Sequence, residues 1–325
     1  MSGDTGDWRP GATLATLRLR ARRLEAARGF FAARGVLEVD TPLLVRCAVT
    51  DVHIHAAAVQ LAGVPQPLHL HTSPEYAMKR LLAAGCGDIY QICHVMRGEE
   101  RGRLHNAEFT LIEWYRLGAS IDALMDEVEA LVRLLAAPAA AAPAARVSYQ
   151  QAFERVLGLN PLAASESALR AAAARAGLDA GAVASGERDD LLDLLMGVAV
   201  GPQLGRGAMC FVHRYPASQA ALARLDPEDA RVALRFELYL EGVELANGFV
   251  ELGDAAEQRA RFEAERRARA TRGLAAPPLD ERLLAALAHG LPACAGVALG
   301  FDRLLMLATG ARDIAAVMPF TTERA

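Results

Sequence analysis

Residues 88–116 limit the fold more than any other stretch of this chain. The run "DIYQICHVM" is rich in isoleucine, valine and tyrosine, and "FTLIEWYR" alternates in part and carries two aromatics, so both read as strands. Two such runs in succession pair as an antiparallel hairpin. The connection, from about Arg97 to Glu108, is well beyond the roughly two to five residues of an ordinary hairpin loop. Long connections are either functional or disordered, and "RGEERGRLHNAE" is dense in hydrogen-bonding groups. It is a candidate binding loop.

A second hairpin follows from "RVALRFELYLEGVELANGFVEL", with Gly242 at its turn. Around the hairpins lie helical patterns: residues 13–35, where Leu14, Leu17, Leu24, Phe30 and Phe31 recur near helical spacing and Gly35 ends the run; "SIDALMDEVEALVRLLAA"; and the charged "DAAEQRARFEAERRARATRG". "VLEVDTPLL" reads as a short strand broken by Pro42. "QPLHLHTSPEYAMKRLLAAG" reads as a strand turning into a helix, with Thr72 and Glu75 at capping-box spacing and Pro74 in the first turn. The low-complexity "APAAAAPAAR" opens an insertion of short helices, set at about 137–215, and "AMCFVHRYPAS" returns to strand. Hairpin-paired strands with helices segregated around them predict an α+β fold on an antiparallel sheet.

At 325 residues the chain can bury one large core, or one core with a small appendage. A net charge of −4 argues against a dedicated nucleic-acid binder. Basic charge is almost wholly arginine, Lys79 being the only lysine, so individual arginines need a motif before they carry meaning. The five cysteines are scattered and form no CxxC pair, which fits buried thiols in a reducing compartment. No apolar run approaches a membrane span, and the N-terminus lacks the apolar middle of a signal peptide. A cytoplasmic globular protein without membrane contact is the expectation.

Four features carry chemistry. The loop offers Arg97, Glu99, His105 and Asn106, with Phe109 opening the next strand; an arginine fork suits phosphate and a flat aromatic suits a purine. In the second hairpin Glu237, Glu244 and Glu251 stand seven apart in an otherwise apolar segment, where a metal, an ammonium group or arginine would each satisfy them. The exposed face of an edge hairpin is the plainer account. "GVALGFDR" sets Gly296, Gly300 and Arg303 at a strand-to-helix junction, without the spacing of a Walker loop or a dinucleotide fingerprint. "TSPE" alone reads as a helix cap. His53/His55 and His69/His71 have no partner set for zinc, and no nucleophile elbow is present.

Taken in order, "FFAARGVLEVDTPLL", "TSPEYAMKRLL", "RGEERGRLHNAEF", "ELANGFVEL" and "GVALGFDR" resemble the catalytic core of class II aminoacyl-tRNA synthetases, the lysyl branch above all. The helix and strand ending at Pro42 resemble motif 1, the dimer-forming element; Arg97-x-Glu99 to Phe109 resembles motif 2; Gly300 to Arg303 resembles motif 3. The resemblance runs from about residue 15 to the end. No room precedes motif 1 for an anticodon-binding OB domain, and the chain is similar instead to stand-alone paralogues of that branch, which modify translation elongation factor P. Gly98 and Ala107 depart from the asparagine and proline common in the motif 2 loop, and Phe301 from a smaller aliphatic residue in motif 3.

The resemblance implies ATP and Mg2+, a homodimer, (R)-β-lysine or lysine as substrate, elongation factor P as acceptor, and no tRNA. It implies catalytic roles for Arg97 and Arg303. ATP would be bound by Arg97, Gly98, Glu99, His105, Asn106, Phe109, Glu244, Leu245, Gly300 and Arg303. The substrate would be bound by Ser73, Pro74, Glu75, Tyr115, Glu251 and Ala298, and Mg2+ by Glu237 and Glu244. Ala298 stands where lysyl-tRNA synthetases usually carry glycine, and its methyl would favour a β-amino acid. Three rivals share the fold: a minimal lysyl-tRNA synthetase, a catalytically silent paralogue, and an ammonia-dependent asparagine synthetase.

Overall fold

The structure is a computed structural model that describes residues 8–136 and 142–325. In chain order the strands are β1 (Leu37–Glu38), β2 (Leu44–Val45), β3 (Ala58–Val59), β4 (Leu68–Leu70), β5 (Ile89–Met96), β6 (Glu108–Leu117), β7 (Ala145–Ser148), β8 (Cys210–Pro216), β9 (Leu225–Asp226), β10 (Asp229–Leu240), β11 (Val243–Val250) and β12 (Cys294–Gly300). The helices are α1 (Leu14–Ala32), α2 (Glu75–Ala83), α3 (Ile121–Ala136), α4 (Tyr149–Leu157), α5 (Glu166–Arg175), α6 (Ala180–Ser185), α7 (Arg188–Leu195), α8 (Ala255–Thr271), α9 (Glu281–Gly290) and α10 (Phe301–Thr309).

Among the described residues, the main sheet runs β1-β5-β6-β12-β11-β10-β8-β7, with β9 on β10, and β2-β4-β3 form a small second sheet. Both expected hairpins are present, and the 97–107 loop joins β5 to β6. The sheet is antiparallel except at its two ends, where β1 joins β5 and β7 joins β8 in parallel. At the β10–β11 turn Glu241 and Gly242 take φ of 52° and 74°, the left-handed pair of a tight hairpin turn, which glycine adopts without strain.

One sheet face carries the main core. Ile112 and Trp114 of β6, Phe236 and Leu238 of β10, and Val297 and Leu299 of β12 pack there against α1, α3 and α10. Phe31 of α1 stacks on Tyr90 with ring centroids 4.3 Å apart. Arg20 of α1 bonds Asp302 of α10 and Thr110 of β6, so the first helix is tied to the last strand–helix junction.

Two local expectations change. Thr72 does not cap α2: Ser73 Oγ accepts the Glu75 amide at 3.0 Å, Pro74 is the cap residue, and the Glu75 carboxylate turns to Lys79. The insertion set at 137–215 is narrower, because that range takes in β7 and all but the last residue of β8, which are strands of the main sheet. The helical part spans α4 to α7 and buries its own apolar cluster against β8 and Tyr239. Residues 137–141 of the expected linker lie outside the described residues.

Candidate active site

The face opposite the core forms a cavity, and strand alternation selects its lining. On β6, Leu111, Glu113 and Tyr115 face it while Ile112 and Trp114 face the core. On β12 the cavity residues are Gly296, Ala298 and Gly300, small enough to leave room above the sheet. Glu244 and Glu251, seven apart, would ordinarily point to opposite faces. The register steps from Leu238↔Ala246 to Tyr239↔Glu244, so Leu245 is an extra residue, and this bulge lets both glutamates face the cavity.

One end is cationic and aromatic. Arg97 lies over the Phe109 ring, its guanidinium carbon 5.2 Å from the centroid, and donates to Glu100 at 3.1 Å. Arg303 donates to the carbonyls of Leu104 (3.2 Å) and Glu244 (3.1 Å), which holds its guanidinium between the loop and β11. His105 lines the same end, and burial together with Arg303 holds its pKa low. Glu244 is pushed up to about 7 by desolvation and by Glu237.

The other end is acidic. Glu113 accepts from Ser73 Oγ and Tyr115 Oη, each at 2.7 Å, and burial beside Glu75 pushes it to about 8. Glu251 is pushed to about 7 by burial, against the opposing pull of Lys79. The Lys79 ammonium sits 2.7 Å from Glu75 Oε1 and 2.6 Å from Glu251 Oε2, with a side chain only 1% exposed. Burial alone would lower its pKa, but Glu251 and Glu75 outweigh it and hold the lysine charged. Glu251 Oε1 is buried and, among the described residues, receives no hydrogen bond from a side chain. It lies beside Gly296, where a Cβ would stand 2.6 Å from that oxygen and 2.3 Å from the Tyr115 ring.

The profile of the tRNA synthetases class II (D, K and N) matches residues 5–324. The chain belongs to the class II tRNA synthetase family. Among curated relatives, elongation factor P–(R)-β-lysine ligases of Salmonella dublin, Salmonella paratyphi B and Salmonella heidelberg are each 49% identical over 326 aligned positions, covering 99% of this chain and 99% of the relative.

Within this synthetase cavity the structure brings together most of the residues expected from the sequence: Arg97, His105, Asn106, Phe109, Glu244, Leu245, Gly300 and Arg303 at one end, and Ser73, Glu75, Tyr115, Glu251 and Ala298 at the other. Four stand apart. Glu99 is exposed and points to His55 at 3.6 Å, while its neighbour Glu100 faces inward. Gly98 donates its amide to the His55 carbonyl at 2.7 Å, on the outer side of the loop. Pro74 lies behind the cavity wall, on an adjoining groove. Glu237 is held by Arg235 (2.6 Å), Tyr215 (2.6 Å) and Tyr239 (2.7 Å). Asn106 is buried and ties the loop to the C-terminal segment, donating to the Glu108 carbonyl and accepting from the Thr322 amide.

Sequence reasoning missed Glu113, Glu100 and Lys79. For Glu113 the signal was its two-residue offset from Tyr115 in an apolar strand. For Lys79 it was the position four residues after Glu75 on a helix.

Proposed function

We propose that this chain activates a lysine-type diamino acid, (R)-β-lysine foremost, with ATP and transfers the acyl group to a lysine amine of translation elongation factor P. The full-length likeness to ligases of that name supports the reading. The observation that carries it is the charge of the acidic end. Glu75 and Glu251 share one internal cation, Lys79, and Glu113 is held, among the described residues, only by the Ser73 and Tyr115 hydroxyls, so the pocket with all three ionised is short of two positive charges. A diamino acid supplies two ammonium groups, and a buried carboxylate left unpaired rejects a neutral side chain strongly.

The first step is attack of the substrate carboxylate on the ATP α-phosphorus, with a bond to phosphorus formed and pyrophosphate released. Two anions must approach, so charge neutralisation and positioning dominate. Arg97 would hold the α-phosphate and the attacking carboxylate. Phe109 and Arg303 would enclose the purine, and His105 would face the γ-phosphate. Asn106 fixes the loop, and Glu99 would engage the adenine once ATP draws the loop inward. Gly300 and the Leu245 backbone would leave room for the ribose and base. Ser73 and Tyr115 orient Glu113, and the Ala298 methyl would shorten the pocket in favour of a β-amino group.

Mg2+ would neutralise phosphate charge, with Glu244 giving the protein oxygen. Glu237, whose two oxygens already accept three donors, would give a second on release of Arg235. In the second step the acceptor amine attacks the acyl carbon and AMP leaves. A homodimer through α1 and β1 belongs to the same proposal, supported by exposed Leu14, Leu37 and Leu43. So does a cytoplasmic location, which free thiols at all five cysteines fit.

The test has two stages. ATP–pyrophosphate exchange is measured with each lysine isomer, and the intact masses of elongation factor P and of tRNA are compared after full reaction. Exchange with (R)-β-lysine followed by a mass gain on elongation factor P is expected. Exchange with no isomer, or aminoacylation of tRNA alone, refutes the proposal.

A further inference from the structure

The cavity has a third wall that neither the nucleotide nor the diamino acid would use. Val49, Ile54, Leu222 and Phe262 give it an apolar surface, and Glu265 of α8 lies among them. The Glu265 carboxylate accepts a hydrogen bond from Thr50 Oγ1. The two arginines nearest in charge are directed elsewhere. Arg261 donates to the carbonyls of Ala221 (2.7 Å) and Ala223 (2.8 Å), and Arg269 to those of Ala275 (2.7 Å) and Asp51 (2.5 Å). These bonds pin two loops onto α8 and shape the wall. Ala221 holds a left-handed φ of 49° there, a costly conformation for a residue with a Cβ. Tyr76 lines the same cavity, its ring 5.6 Å from that of Phe262.

A carboxylate with a hydroxyl partner and no salt bridge among the described residues, set in an apolar part of the cavity lining, is matched by a primary ammonium on an aliphatic chain. We infer that Glu265, held by Thr50, seats the ammonium of the acceptor lysine and takes its proton before attack. The inference rests on the ligase reading and assigns the acceptor side of that same cavity. The ammonium gives one proton to Glu265. The free amine then forms a C–N bond to the acyl carbon, the C–O bond to AMP breaks, and the second amine proton leaves with the departing phosphate. Burial and Asp51 push Glu265 up to about 7, against the Thr50 hydrogen bond and the charges of Arg261 and Arg269, which makes it a fitting base near neutrality.

The test separates the half-reactions in the full chain. Glu265→Gln is assayed for ATP–pyrophosphate exchange and for single-turnover transfer from preformed adenylate to elongation factor P, across pH. Transfer is expected to fall about a hundredfold relative to exchange, in line with loss of a general base. The pH limb of transfer moves from near neutrality toward the lysine value, and Glu265→Asp restores part of both. Thr50→Val gives the same split in weaker form, should Glu265→Gln fold poorly. Equal losses in both half-reactions, or unchanged transfer, overturn the inference. Absence of exchange in the unaltered protein with every lysine isomer refutes the ligase reading instead.

Discussion

At the scale of single residues, Lys79 governs the acidic end. It is the only lysine in the chain, and it is buried between two carboxylates that the substrate would also need. Removing one partner of a buried ion pair costs about 3–5 kcal/mol, because the remaining charge stays unpaired. Lys79→Met is therefore expected to lose stability on that order near neutral pH. The loss should shrink as pH falls, since protonation of Glu251 removes an unpaired charge. Lysine-dependent exchange should keep its acid limb but at higher pH, because Lys79 lowers the Glu251 pKa. Urea titrations at about pH 5 and about pH 8 decide; equal losses at both would show that Lys79 acts by packing alone. The family resemblance marked Glu75 and Glu251 as ammonium ligands but not the cation that already bridges them. A bridge between α2 and the end of β11 joins residues 172 positions apart, and no local pattern encodes it.

At the scale of elements, β12 decides what fits the cavity. Its cavity face reads glycine, alanine, glycine, and the alternation was visible once the run was taken as a strand. What the spacing could not supply is the reason for Gly296, which is the Tyr115 ring directly across the ladder. Gly296→Ala places a methyl against that ring and against Glu251 Oε1. Displacement of the ammonium seat by a fraction of an ångström to one ångström is expected to cost about a hundredfold in diamino-acid activation. ATP binding, at the far end, should change little. Calorimetry with ATP and exchange kinetics with (R)-β-lysine check the split, and an equal loss of both would place the damage in the fold. The ends of the sheet were less legible. β7 lies next to an alanine-rich stretch and is a strand because β8 pairs with it in parallel, a partner 65 residues away. Propensity gives no hint of such a pairing.

For the whole molecule, the cavity stores a pH dependence. Glu113 is raised to about 8, and Glu244, Glu251 and Glu265 each to about 7, in every case with burial as the leading cause. A carboxyl raised on folding binds its proton more tightly in the native state, so its contribution is complete below the unfolded value and is lost as pH climbs through the folded one. The ligand-free protein should thus lose stability as pH rises from about 4.5 to about 8, while His71, His105 and His213, held low, cost stability as pH falls below about 6.5. The same ionisation creates the charge deficit that a diamino acid fills. A diamino acid should therefore raise the melting temperature more at about pH 8.5 than at about pH 6, since only the ionised pocket gains by pairing. Norleucine, which lacks the second ammonium, should recover little at either pH. Differential scanning fluorimetry with (R)-β-lysine, lysine and norleucine measures this directly. A pH-independent shift with the diamino acids would mean that Glu113 and Glu251 are already ionised at about pH 6 without ligand.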